Sequence, residues 1–226
     1  MKRVFIISCL FCVVLTGYAQ SQLVKNLEKG KKQCLVVYGT SIESNVRGQQ
    51  WVRKMGEELN RIYPGMLTLY NAGKSGENSE WGLENLHDSV LSRYPDTVII
   101  EFATNDAVTR FNITPEICRT NTEKLISSIK KANPKCEVIL HTACGFPIGE
   151  NKKKRPAMDT YNQIYRDLTK QHKLLLIDET EFLKHIGETF GNDSLRHYLL
   201  DGVHPTTEGA LQLYLPTSLN VLLRGR

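Results

Sequence analysis

Apolar residues along this chain alternate between two rhythms. Leu35-Val36-Val37-Tyr38, Met66 to Tyr70, Thr97 to Phe102, Glu137 to His141 and Leu174 to Ile177 are short runs, rich in β-branched residues. Such runs, bounded by Gly, Pro or Asn, have the length and composition of buried strands. Between them the apolar positions recur at helical spacing. Trp51, Val52, Met55, Leu59 and Ile62 share one helix face, and Tyr63-Pro64-Gly65 stops that helix. A second helix is predicted from about Trp81 to Ser92, ahead of Tyr94-Pro95-Asp96. A third opens at Thr114-Pro115-Glu116, with a capping threonine and a proline in the first turn, and runs to about Ala132. Further helices are predicted near Pro156 to Gln171, Glu179 to Glu188 and Thr207 to Leu223. Strand–helix alternation of this kind predicts an α/β fold, a parallel sheet covered on both faces. Right-handed crossovers bring the C-terminal ends of all its strands to one edge, where ligands bind in open sheets.

The chain's start does not fit this rhythm. Lys2 and Arg3 precede an apolar stretch from Val4 to Leu15, and Gly17-Tyr18-Ala19 offers small residues at a cleavage site. This reads as a signal peptide over residues 1–19, with a single domain over 20–226. The apolar stretch is shorter than the ~20 residues of a spanning helix, so no stable membrane anchor is expected. The product is then periplasmic or extracellular. The formal net charge of +5 falls to +3 without Lys2 and Arg3. That is too mild to imply nucleic acid or an anionic membrane surface as partner. Cys9 and Cys12 leave with the leader. Of Cys34, Cys118, Cys136 and Cys144, the first and third open strand-like runs, where a buried thiol is ordinary. An exported chain is free to pair its cysteines, so disulfides stay open at this stage.

Four short motifs carry candidate chemistry: Tyr38-Gly39-Thr40-Ser41, Ser75-Gly76-Glu77-Asn78, Ala103-Thr104-Asn105-Asp106 and Asp201-Gly202-Val203-His204-Pro205. Ser41 follows the first strand, Gly76 the second and Asn105 the third, so all three arrive at the same sheet edge. A serine hydroxyl is a weak nucleophile and needs a base to take its proton. His204 suits that role, and Asp201 suits orienting the ring and stabilising the imidazolium. Each motif has a plainer reading. Asp201 and His204 would suit a surface turn or half a metal site, Ser75-Gly76 an ordinary turn, and Asn105-Asp106 a helix cap.

Taken together and in this order, the four motifs resemble those of the SGNH hydrolases, also called GDSL esterases and lipases. The resemblance implies a three-layer αβα sandwich with a five-stranded parallel sheet in the flavodoxin-like order 2-1-3-4-5. It also implies a catalytic Ser41, Asp201 and His204, with an oxyanion hole made by the backbone N–H groups of Ser41 and Gly76 and the Asn105 amide. Two positions depart from the family pattern: Thr40 stands where an aspartate is usual, and Ala103 where a glycine is. Asn78, Trp81 and His141 are weaker candidates for touching substrate, and Asp106 for a structural hydrogen bond. The run Lys152-Lys153-Lys154-Arg155 reads as a solvated loop, or else as a contact for an acidic polysaccharide. The implied activity is that of an exported serine esterase acting on short-chain, chiefly acetyl, esters of a small molecule or glycan. It needs no metal or cofactor and does not act on nucleic acid. The alternatives are a lysophospholipase or thioesterase acting on lipid acyl groups, and a glycan-binding module without turnover.

Overall fold

A computed structural model describes residues 20–44, 50–144 and 147–224. The expected leader, with Cys9 and Cys12, lies outside these residues. Five strands form one parallel sheet: β1 (Gln33–Gly39), β2 (Leu67–Asn71), β3 (Thr97–Glu101), β4 (Glu137–Thr142) and β5 (Leu175–Asp178). Their spatial order is β2-β1-β3-β4-β5, the expected one. The three central strands are almost wholly buried, whereas alternate residues of β2 and most of β5 reach solvent. Burial on both faces is why the central runs read as continuously apolar rather than alternating.

Helices α1 (Gln22–Glu28), α2 (Trp51–Ile62) and α12 (Leu215–Leu223) pack together on one face. On the other lie α3 (Ser79–Glu84), α6 (Pro115–Ala132) and α8 (Met158–His172). The predicted start of α6 is realised: Thr114 accepts a hydrogen bond from the Ile117 N–H, and Pro115 occupies the first turn. Shorter helices complete the chain: α4 (Leu86–Ser89), α5 (Ala103–Asp106), α7 (Glu150–Lys154), α9 (Thr180–Phe190), α10 (Asn192–Tyr198) and α11 (Thr207–Gly209).

Several elements differ from expectation, each for a physical reason. The single helix predicted over 81–92 is broken into α3, α4 and a 3₁₀ turn at Leu91–Arg93. At the break, the Asn85 side chain donates to the Trp81 carbonyl, competing with the backbone ladder. The helix predicted over 207–223 is interrupted by a π-helical turn at Ala210–Tyr214. Pro216 has no N–H to give Gln212, and the widened turn accommodates that loss. The basic run forms helix α7 rather than a loop. Helix α1 was not foreseen, because its N-terminal donors are satisfied from afar. The Gln22 and Leu23 N–H groups and the Ser21 hydroxyl donate to the Glu137 carboxylate, at 2.8, 3.0 and 2.7 Å. Cys34, Cys118, Cys136 and Cys144 are free thiols.

Candidate active site

Strand β1 ends at Gly39, and the chain turns at once into Thr40 and Ser41. A Cβ on Gly39 would lie 2.6 Å from both the Glu101 carbonyl oxygen and Glu43 Oε2. Only glycine fits that approach. The Ser41 side chain leaves the turn toward the C-terminal segment, where its Oγ stands 2.7 Å from His204 Nε2.

His204 is held from below. Its Nδ1 lies 2.9 Å from each oxygen of Asp201, and Asp201 Oδ1 also accepts the backbone N–H groups of His204 and Val203 at 3.0 and 3.3 Å. With Nδ1–H donating to Asp201, Nε2 is left free to accept from Ser41. Partial burial pushes the Asp201 carboxyl up, but the hydrogen bonds from His204 and Val203 outweigh it. The group is held well below the usual carboxylate range and stays ionised. The loop itself is closed by its own backbone. Leu200 N–H donates to the His204 carbonyl at 2.7 Å, and Thr206 N–H to the Tyr198 carbonyl at 2.8 Å. Gly202 takes a φ of +86°, and a Cβ there would sit 2.6 Å from the Ile148 carbonyl oxygen.

The second and third motifs meet the same turn. Lys74 N–H donates to the Gly39 carbonyl, and the Ser75 and Ser44 hydroxyls lie 2.8 Å apart. Gly76 is exposed with a φ of +85°. Among the described residues, neither the Ser41 nor the Gly76 backbone N–H meets a backbone or side-chain acceptor. Two such free donors beside a serine are what a developing oxyanion needs. Asn105 is nearly buried, and its Nδ2 donates to the Glu77 carbonyl at 2.7 Å, which leaves one amide hydrogen. Ala103 is fully buried at the start of α5.

Beneath the Ser41 turn lies a polar network that motif reading missed. Thr40 N–H donates to Glu43 Oε2 at 2.8 Å, and the Thr40 hydroxyl to Glu101 Oε2 at 2.7 Å. The Thr104 N–H donates to Glu101 Oε1, so the carboxylate joins the first and third motifs. Glu43, Glu101 and His141 are all fully buried. Burial pushes both carboxyls upward, and for Glu101 the neighbouring Glu43 charge adds to this. The neutral Thr40 thus sits between two carboxyl groups, where an aspartate would add a third. Arg155 was also missed. It is buried against Thr104 and Asn105, although in sequence it ends a run of lysines.

One weaker expectation is corrected. His141 presents no surface to a ligand: it is enclosed by Trp51 and Tyr214, with its Nδ1 3.3 Å from Glu43 Oε1. Asn78 caps α3, its side-chain Oδ1 accepting from the Glu80 and Trp81 N–H groups at 3.0 and 3.2 Å. Trp81 is half-buried and packs on Tyr38 and Phe102, with ring centroids 5.8 and 6.5 Å away. Asp106 accepts from the Ser79 N–H at 2.9 Å and so ties α3 to α5. Beside Asp201 opens a cavity of ≈ 370 Å³ lined by Ile148, Gly149, Glu150, Arg196, Leu200 and Gly202.

The GDSL-like lipase/acylhydrolase family model matches residues 37–211. No curated protein matches the sequence. Among solved structures, a lipase/acylhydrolase from Enterococcus faecalis is similar at 26% identity and a TM-score of 0.68, over 84% of this chain and 93% of that one. An acetylxylan esterase from Geobacillus stearothermophilus, solved as a catalytic mutant, is similar at 18% identity and a TM-score of 0.72, over 85% and 94%. An alpha/beta hydrolase enzyme from the metagenome of Lake Arreo, Spain, is similar at 22% identity and a TM-score of 0.68, over 85% and 95%.

Proposed function

The chain belongs to the GDSL-like lipase/acylhydrolase family and is an ester-bond hydrolase, and we propose that it works through a Ser41–His204–Asp201 triad and an acyl-enzyme, on short acyl esters carried by a carbohydrate. The observation that carries this reading is the unbroken relay from Ser41 Oγ through both nitrogens of His204 to Asp201. In the first step His204 Nε2 takes the Ser41 proton as Oγ attacks the ester carbonyl carbon. The carbonyl oxygen becomes an oxyanion facing the N–H groups of Ser41 and Gly76 and the Asn105 amide. Collapse breaks the bond to the alcohol, which receives the proton from His204. A water then repeats the sequence on the acyl-enzyme, releasing the carboxylic acid and regenerating Ser41.

Two features support a small acyl group on a polar carrier. The cavity beside Asp201 carries Glu150 and Arg196 in its wall, groups suited to hydroxyl-rich ligands. The acetylxylan esterase also shares the fold, at low identity. A second reading, a lipid acylhydrolase, is favoured by Leu200, which borders the same cavity and is 60% exposed. Export is part of the proposal. Its support is the basic and apolar pattern of residues 1–19. Intact mass of the exported protein starting at Gln20 supports cleavage, and retention of Met1 refutes it.

The test combines labelling and turnover. A fluorophosphonate is expected to add once, at Ser41, and Ser41→Ala to abolish hydrolysis of a chromogenic acetate. Full activity in that variant sinks the triad. Across acetate, butyrate and octanoate esters, kcat/KM is expected to fall with chain length. An apolar groove would instead add ~0.8 kcal/mol of binding per buried methylene, and a steep rise toward octanoate selects the lipid reading.

A further inference from the structure

Arg155 stands apart from the three lysines that precede it. The residue is only 7% exposed. Its Nε donates to the Thr104 carbonyl at 2.8 Å, Nη1 to Asn151 Oδ1 at 2.8 Å and Nη2 to Asn105 Oδ1 at 3.4 Å. All three acceptors are neutral. Among the described residues no carboxylate lies within ion-pair distance, although the fields of Glu101 and Asp201 reach it, as does that of Arg110. Burying a cation without a counter-charge is expensive, and a fold that only needed packing there is better served by an apolar side chain.

The placement of those bonds suggests what the charge is for. Asn105 is gripped at both ends, with Oδ1 facing Arg155 and Nδ2 bonded to the Glu77 carbonyl. That grip fixes the amide rotamer. A cation at the amide oxygen also draws electron density from the nitrogen, which makes the remaining N–H a stronger donor. Asn151, the third partner, donates from Nδ2 to the Asp201 carbonyl at 2.8 Å. One guanidinium therefore ties the third motif to the loop that carries the acid and the histidine. We infer that Arg155 is a positioning residue for ester hydrolysis: it locks and polarises the Asn105 amide, and its charge is compensated when the tetrahedral oxyanion forms beside that amide. The inference rests on the proposed serine-esterase reading. Arg155 acts through Asn105 and touches no reacting atom.

The experiment compares Arg155→Met, Arg155→Lys, Asn105→Ala and the Arg155→Met/Asn105→Ala double variant, each checked for folding by thermal melting. Loss of a full oxyanion donor lowers turnover by about 10²–10³-fold, so Asn105→Ala should fall in that range. Arg155→Met should lower kcat by roughly 10- to 100-fold and change KM by less than about threefold, as expected when a transition-state interaction is lost. Arg155→Lys, which keeps a cation but loses the fork, should retain more activity than Arg155→Met while staying below wild type. In the Asn105→Ala background the arginine change should lower kcat by no more than about twofold. Affinity for a trifluoromethyl ketone, which forms an anionic adduct with the serine, should fall in step with kcat. A purely structural arginine would move none of these together. The inference is overturned by an unchanged kcat in Arg155→Met, by an equal loss in the Asn105→Ala background, or by an unchanged ketone affinity. If Arg155→Met does not fold, Arg155→Lys decides through the same readouts, and wild-type kcat in it overturns the inference. A wild-type protein without turnover, or a fully active Ser41→Ala, instead defeats the underlying esterase reading.

Discussion

Glu43→Gln probes the network under the Ser41 turn. Glu43 is fully buried. Its Oε2 accepts the Thr40 N–H, while Oε1 finds no hydrogen bond among the described residues and faces the unbonded His141 Nδ1 at 3.3 Å. Burial pushes the Glu43 carboxyl from 4.5 up to about 8, and burial also holds His141 down, at about 4. Near neutral pH the acid is therefore protonated and the imidazole neutral. The folded protein keeps this proton at pH values where the unfolded chain has already released it. Stability from this group is thus fully present below pH 4.5 and is lost as the pH rises toward 8. One proton changes stability by at most about 1.4 kcal/mol per pH unit. Across a window of roughly three to four units the ceiling is about 5 kcal/mol, and competition with Glu101 for the same proton reduces the expected figure to about 2–4 kcal/mol. Glutamine reproduces the neutral state: its carbonyl can accept from the Thr40 N–H as Oε2 does, and its uncharged amide takes the place that faces His141. Urea unfolding at pH ~5, ~6, ~7 and ~8 should show Glu43→Gln gaining on wild type at each step. Asp106 and Glu179 are likewise pushed up by burial, but they are common to both proteins and cancel in the difference. A difference that stays flat or falls with pH refutes a protonated Glu43.

Further outcomes follow from the acid–histidine loop. Asp201→Asn should lower kcat by about 10²–10⁴-fold with little change in melting temperature, because an amide disfavours the Nδ1–H tautomer that leaves Nε2 free to accept; kinetics and melting on the same sample check both. Gly202→Ala combines a positive φ with a 2.6 Å clash against backbone, and should destabilise by about 1–3 kcal/mol or more, measured by chemical unfolding; a neutral effect would mean the loop is not held as described.

Legibility in the sequence tracked how local the determining physics is. The five strands were readable because burial on both faces forces continuous apolar runs, and Gly39, Gly65 and Pro95 punctuate them. The motifs were readable because a parallel sheet brings Ser41, Gly76 and Asn105 to one edge. What escaped depends on partners distant in the chain. Helix α1 takes its cap from Glu137, 115 residues beyond Gln22. Arg155 looked like one more solvated cation, since linear spacing does not reveal that Thr104 and Asn105 bury it. Glu43 and Glu101 belong to no motif in the linear sequence, and their burial comes from packing around the end of the sheet. The interruption of the last helix did have a local signal, Pro216 within the apolar pattern, and a strict reading of proline would have marked it.

The contact between Ser41 and His204 spans 163 residues. In time, this means that the serine emerges early in synthesis and its histidine partner near the end. On the proposed triad, a chain stopped anywhere before Asp201 carries a serine of ordinary alcohol reactivity, however much of the sheet has formed. Long-range closure of this kind is a late event in assembly. Capture by a fluorophosphonate therefore reports more than chemistry: only molecules that have been completed and have docked their final loop should take the label.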